Sequence, residues 1–506
     1  MAVYQRPGVY VTENLNATPP SAGNETLQYG AFLGAINQGP VAPTLVTSWP
    51  QFVKLYGNFD SGIGDTLRLG VRSFLVDNNG GACYVKRVQG TGNAVATRSI
   101  FDSSGGGGAA GSVNTLQIQA ASAGAWGNNI YFDIIKATAT AATFTLVVYY
   151  GDSTSGSIVE RYTDLSMDGT NSRYAPTVVN ALSTFVYLID LSDAATGYAD
   201  APVAITGAQL ASGVNATGGQ TAADIANAVT AFDVIAQSLV LVAPGITTAS
   251  PVNTLIAYAT ARTDCFVVVG GGASTVADQI TLAASYSSSS YAAVYYPNIL
   301  VSDPTTTSPG VTRTIDVASA VAGQYFSTDR QRGVFKAPAG LNVRIGGAVS
   351  VTALTNTELD SMNVAGAPVN AIRFVSGSGI VVMGARTLKQ GYVDKYVPVR
   401  RSLIYLEKTL SNLTRYAVFE PNDAKLWRQL TATAQNFLND FWRQGGLRGD
   451  TPAQAYYVQC NASNNPLNTV DAGEVHLDIG VALQRPAEFV VIKISQYDGG
   501  VTITTA

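Results

Sequence analysis

Three short, almost wholly apolar runs limit this fold most strongly: SLVLVAP at 238–244, CFVVVGGG at 265–272 and YAAVYYP at 291–297. Each is short for a helix and lacks the alternation of a strand with one wet face. Each therefore reads as a strand buried on both sides. Helix-patterned segments accompany them: AADIANAVTAFDVI at 222–235, SPVNTLIAYATA at 250–261 and STVADQITLAASY at 274–286. Strands alternating with helices of this length predict a mostly parallel sheet covered on both faces. A fragment of the same kind opens earlier. GAFLGAI reads as a buried strand, and WPQFVKLYG as a short helix ending at Gly57. GDTLRLGVRSFLVDNNGG reads as a helix with Leu67, Val71, Phe74 and Leu75 on one side, stopped by Asn-Gly-Gly, and ACYVKRVQG as a strand.

A different texture interrupts this α/β pattern. NTLQIQA, NNIYFDIIKA, TFTLVVYYG and SIVERYTDL are alternating runs separated by turn residues. They predict an antiparallel β domain inserted into the α/β unit. SSGGGG at 103–108 reads as the linker into it, and Gly124-Ala-Trp-Gly127 as a turn with Trp126 plugging its core.

The C-terminal part is strongly patterned. RRSLIYLEKTLSNLTRYAVF places Leu403, Leu406, Leu410 and Leu413 on one helical stripe. The next helix starts near Pro421 and Asn422 and ends at Gly445–Gly446, with Leu426, Trp427, Leu430, Ala434, Phe437, Leu438 and Phe441 on a wide apolar face. AYYVQCN, GEVHLDIGVAL and AEFVVIKISQ follow as strands, the last two joined by a hairpin-like turn at Gln484-Arg485-Pro486.

Charge is sparse and uneven. Charged residues make up 13% of the chain, against about 25% in ordinary domains, which suits a surface largely covered by other protein. Residues 101–370 hold nine Lys and Arg against eighteen Asp and Glu, whereas 386–448 hold eleven against five. The basic band predicts a negatively charged partner. The single histidine, His476, sits in a strand pattern and reads as structural, which argues against His-based metal or triad chemistry. Cys83, Cys265 and Cys460 lie far apart and read as buried free thiols. No apolar run reaches the length of a membrane helix, and MAVYQRPG lacks the layout of a signal peptide.

Both ends carry strand-forming tails outside the compact segments. RPGVYVTE exposes Val9, Tyr10, Val11 and Thr12, and YDGGVTITTA exposes Val501, Thr502, Ile503 and Thr504 after a Gly-Gly hinge. An unpaired strand is a template for another chain. The simplest use is strand addition to a neighbouring copy.

With these features in place, the chain resembles contractile tail sheath proteins. The residues that carry the likeness are RPGVYVTE, AWGNNI, the run GARTL…YVPVRRSLIYLEKTL…FEPNDAKLW, and LQRPAEFVVIKISQ, in the family's order along nearly the whole sequence. The resemblance implies a non-enzymatic structural subunit. It would stack as hexameric rings around a rigid inner tube, linked by its terminal arms, and contract to drive the tube through a target envelope. It also implies a subtilisin-like sheet topology without protease activity.

The expected organisation is an N-terminal arm at 1–20, α/β core at 21–100 and 201–375, and an outward-facing β insert at 101–200. An α+β C-terminal domain at 376–496 and a C-terminal arm at 497–506 complete it. Val475, Leu477, Ile479, Phe489 and Val491 are expected in the sheet that accepts neighbouring arms. Lys425 and Arg428 are expected at the inner tube, a solvated charged face being the plainer reading. Partners would be further copies, the tube, the baseplate and the tail terminator, with no cofactor, metal, direct nucleic acid or membrane insertion. The location would be a virion tail assembled in the host cytoplasm, the alternatives being a bacterial contractile injection machine or another surface-layer-type shell. Two rivals are weaker. VVVGGGAS at 267–274 follows a strand and precedes a helix but lacks phosphate-loop spacing, so it reads as a plain turn. Arg400–Arg401 suggests nucleic acid, but five acids share the band.

Overall fold

The computed structural model describes residues 28–488 except 60–64, 106–108, 192–199, 218–220, 307, 365, 367, 390 and 392–394. The apolar runs form the middle of an 8-stranded sheet. Its order is Gly379–Val382, Val369–Val375, Ala292–Tyr296, Cys265–Val269, Ser238–Val242, Gln28–Ala35, Cys83–Val88 and Thr44–Val46. The inner strands run parallel, and each edge strand is antiparallel. Every residue of Ser238–Val242, Cys265–Val269 and Ala292–Tyr296 is buried. That is why these runs carry no polar alternation.

The helix Val317–Arg332 has no counterpart in the sequence reading. It is buried from Val317 through Gly323 and again at Tyr325, Phe326 and Thr328. The small residues of its first two turns show no polar stripe, because a stretch enclosed on all sides needs none. It joins the sheet through the Tyr325 hydroxyl, 2.6 Å from that of Tyr295. Its cap, Asp316, accepts from Ala318 N and Gly245 N, each at 2.8 Å. Burial raises the Asp316 carboxyl above its ordinary range, and these two N–H donors oppose the rise. A small sheet, Ile299–Ser302 between Thr312–Ile315 and Ala348–Val351, covers the same end.

The β insert consists of two antiparallel sheets around one core that runs from Ala96 to Leu210 and includes Trp126. The incoming and outgoing strands pair at Thr91↔Thr217 and Ala94↔Val214. The insert is therefore wider at both ends than the 101–200 read from composition. The glycine run at 103–108 is not a linker between domains. Its described residues, 103–105, lie within the insert between Thr97–Phe101 and Asn114–Ala120, where Ser103 is fully buried, Gly105 bridges Ala109 and Gly111 N bonds Asp102 O. Composition does not separate an internal loop from a linker, since glycine suits both.

The Gly124-Ala-Trp-Gly turn does more than plug the insert. Trp126 is buried and donates to Ser122 O at 3.1 Å. The same turn seats the insert on the α/β core, where the buried Arg87 donates to Ala123 O at 2.6 Å and Asn37 O at 3.2 Å. Gly124 has φ +143, and a Cβ there would lie 2.1 Å from Asn37 O. Only glycine fits that joint.

Candidate assembly surfaces of the C-terminal domain

The C-terminal domain is a helical hairpin carrying a two-stranded sheet. Its outgoing helix, Val397–Leu413, begins with Pro398 in the first turn. Val397 and Ile404 lie in the α/β core, while Leu406, with Tyr405, Leu410 and Leu413, serves a second core. The return helix, Ala424–Arg443, buries Leu426, Leu430, Ala434, Phe437, Leu438 and Phe441, the face its sequence predicts. Its cap is Asp423, one residue beyond Asn422, accepting from Lys425 N at 2.8 Å and Leu426 N at 2.9 Å. Those amides, Leu426 foremost, hold the Asp423 carboxyl below its usual range.

Much of the basic band turns inward, which corrects the expectation that 386–448 as a whole faces a partner. Arg401 is 1% exposed and grips Asp329 with two bonds, at 3.0 and 2.5 Å. It also donates to Gln28 Oε1 at 2.8 Å and lies over the Tyr325 ring at 4.6 Å. Arg400 is buried over the Tyr291 ring at 4.5 Å. Lys408 pairs with Asp264 at 2.6 Å. These cations fasten the outgoing helix to the α/β core. Charge counting misses this, because it does not distinguish a cation that meets a distant acid in the fold from one facing water. The buried Arg400–Arg401 pair is no nucleic-acid surface. Lys425 and Arg428, by contrast, are exposed on the first turns of the return helix.

Arg386, of the GARTL segment, meets Glu488, of the LQRPAEF segment. The pair is bidentate at 2.6 and 2.8 Å, with the Tyr396 hydroxyl donating to the same carboxylate at 3.0 Å. Arg386 is anchored in turn by Asn363 O at 2.7 Å and by backbone bonds to the buried Asn370. Partial burial would raise the Glu488 carboxyl, but the Arg386 guanidinium brings it below its ordinary value. The clamp grips the chain at the last described residue.

Tyr456–Gln459 and Asp478–Val481 form an antiparallel pair, lying beside the return helix through Tyr456, Val458, Ile479 and Val481. Ala482 N donates to Ala455 O at 3.1 Å, the bond that flanks Tyr456↔Val481 as a non-hydrogen-bonded pair. Alternation then turns the backbone groups of Tyr456, Val458, Ile479 and Val481 to the outer edges. Among the described residues this sheet has two strands, and two strands alone make a marginal sheet. Of the expected arm-accepting residues, Ile479 is in this sheet. Val475 and Leu477 precede the strand and pack with Leu426, Leu430 and Cys460 instead. The strand starts at Asp478 because Asn465 binds the His476 backbone on both sides, at 2.6 and 2.9 Å. His476 itself is exposed beside Glu474 at 3.1 Å. Phe489 and Val491, Val9 to Thr12, and Val501, Thr502, Ile503 and Thr504 lie outside the described residues.

A cavity of about 280 Å³ opens at the carboxyl ends of the parallel strands, beside Thr66, Gly245, Gly271, Asn298, Arg313 and Asp316. The glycine loop at its edge has its donors occupied. Gly272 N and Ala273 N bond Gln279 Oε1 at 2.9 and 3.1 Å, and Gly271 N bonds Asn298 Oδ1 at 3.2 Å. A phosphate would find those amides taken. Among the described residues no His, Cys, Asp and Glu group is placed to hold a metal ion, and no helix is long and apolar enough to cross a membrane.

Residues 394–496, which hold this hairpin and sheet, match the phage tail sheath C-terminal domain. Over nearly its full length the chain is also similar in fold to contractile sheath proteins. The anti-feeding prophage helical sheath in its contracted state is 20% identical, covering 98% of this chain and 100% of that chain at a TM-score of 0.56. The PVC sheath complex of an extracellular contractile injection system, also contracted, is 23% identical, covering 98% and 99% at 0.53. A sheath tail protein from Listeria innocua is 14% identical, covering 92% and 96% at 0.60. Comparison with curated proteins finds no match.

Proposed function

We propose that this chain is the structural subunit of a contractile tail sheath. It polymerises in stacked hexameric rings around a rigid inner tube and contracts to drive that tube through a target envelope. The observation that carries the reading is the full-length likeness to helical sheath subunits in a chain whose C-terminal sheet has two strands among the described residues. Strand addition by the terminal segments of neighbouring copies, through Val9–Thr12 and Val501–Thr504, completes that sheet at its outward-facing edges. The parallel core takes the subtilisin-like topology that the resemblance implies, as a scaffold and not an enzyme. Lys425 and Arg428 face the inner tube, and the acidic β insert faces outward. Baseplate and terminator close the two ends of the polymer, which belongs to a virion tail assembled in the host cytoplasm. The likeness to the prophage and PVC sheaths supports a second setting, an extracellular injection machine, with the same mechanics.

Negative-stain electron microscopy of the purified chain, beside a version lacking residues 1–15, tests the reading. Hollow helical tubes from the full chain, lost on truncation, are expected. Flat sheets or fibrils would refute the sheath.

A further inference from the structure

The chain that follows the two-stranded sheet is held at two places, which belong to different parts of the molecule. The first grip is on the helical hairpin. Ala482 O accepts from Arg448 N at 2.7 Å, Leu483 bridges Leu447, and the Gln484 amide donates to Leu447 O at 3.1 Å. Leu483 also packs against the hairpin core. The second grip is the Glu488 carboxylate on Arg386 and Tyr396, with Lys395 Nζ 3.8 Å away. Arg386 is seated on the α/β core, where its N–H donates to the Asn370 side chain and its guanidinium to Asn363 O. Residues 484–488 form neither helix nor strand, and Arg485 and Ala487 are exposed. Residues 482–488 are therefore a strap laid across the joint between the hairpin and the α/β core.

The two grips differ in kind. The first combines backbone pairing with an apolar side chain, and salt screening does not reach either. The second rests on side-chain bonds to one carboxylate, and the Glu488 side chain is 23% exposed. A partly wet ion pair is screened by salt and holds only modestly. The second grip is thus the one that yields first. The hairpin does not follow it, because Arg401–Asp329 and Lys408–Asp264 hold the outgoing helix to the same core independently.

We propose that residues 482–488 are an opening strap whose latch is the Glu488 carboxylate. Closed, the strap fixes the chain on the α/β core as far as Glu488. Open, it fixes the chain only on the hairpin, as far as Gln484. The four freed residues then add about 13 Å of reach, at about 3.3 Å each. The use of that slack between copies rests on the sheath reading. Subunits that shift against one another stretch whatever links them, and a latch that yields before the sheet does keeps the link whole. The strap and its latch stand without that reading.

The test measures distances by electron spin resonance on the purified full chain, labelled at two introduced cysteines and diluted into excess unlabelled chain. The natural thiols, Cys83, Cys265 and Cys460, are buried and stay unlabelled. Ala487→Cys with Asn227→Cys, an exposed helical position on the α/β core, reads the latch. Asn436→Cys with Asn227→Cys reads the seat of the hairpin. One narrow 227–487 distance is expected at about 50 mM NaCl. Glu488→Gln is expected to raise the ratio of open to closed strap about tenfold, seen as a second, broad distance. Tyr396→Phe, which removes one bond and no charge, is expected to raise it less. About 500 mM NaCl is expected to open the wild-type strap and to leave the ratio in Glu488→Gln unchanged. The 227–436 distance is expected to stay narrow throughout. An unchanged 227–487 distance in Glu488→Gln overturns the latch. Broadening of both distances together also overturns it, because the hairpin then moves as a whole and the strap is no separate element. Neither result bears on the sheath reading, which tube formation decides.

Discussion

Replacing Arg401 with methionine separates an internal fastener from a surface cation. Arg401 is 1% exposed and Asp329 20%. Arg401→Met removes two charge-assisted bonds, the bond to Gln28 and the stack over Tyr325. Breaking a buried pair by deleting one partner costs about 3–5 kcal/mol, mostly through the charge left behind. Water reaches part of Asp329, and the methionine stem refills the space beside Tyr325. The loss is therefore set at the lower end, about 3 kcal/mol. Adding Asp329→Asn removes the stranded charge and should restore at least about 1 kcal/mol. Trp427 and Trp442 lie in the C-terminal domain. With Trp49 and Trp126 changed to Phe, urea unfolding followed by tryptophan fluorescence reads that domain alone. A loss below about 0.5 kcal/mol, the scale of an exposed ion pair, would refute the reasoning and return Arg401 to the surface.

Other perturbations follow from the same geometry. Glu488→Gln weakens the Arg386 clamp and should cost about 1–2 kcal/mol at neutral pH. Because the folded Glu488 carboxyl is depressed, its stabilisation is complete above the unfolded value of about 4.3 and is lost as pH falls through the folded one. Melting curves of wild type and variant should therefore converge in acid, and a gap that persists there would contradict the clamp. Gly270→Ala places a Cβ 1.7 Å from Asp316 Oδ1, so a loss of about 3 kcal/mol or insoluble expression is expected; a normally melting variant would show that the Asp316 cap is dispensable. Gly124→Ala drives a Cβ into Asn37 O and should loosen the seat of the insert, read as faster proteolysis near residues 91–94 and 214–217 with the insert core intact. Unchanged proteolysis would show that the seat lies elsewhere.

Sequence by itself determined the elements whose environment is uniform. Runs such as Cys265–Val269 are apolar because both sheet faces are covered, and the return helix declares its buried face through its spacing. The resemblance of the C-terminal segments matched the family comparison. Tertiary structure decided whatever depends on residues distant in the chain. It turned Arg400, Arg401 and Lys408 from a basic band into fasteners, by bringing Tyr291, Asp329 and Asp264 to them. It joined Arg386 to Glu488, and it closed the insert at Thr91 and Thr217. It also enclosed the first two turns of Val317–Arg332, Val317 through Gly323, so fully that they left no periodic trace. Phe419 is an ordinary letter in the sequence. Only the folded backbone gives it a positive φ and an exposed ring. Local patterning reports whether a residue is wet or dry, whereas the partner that makes it so is chosen by the fold.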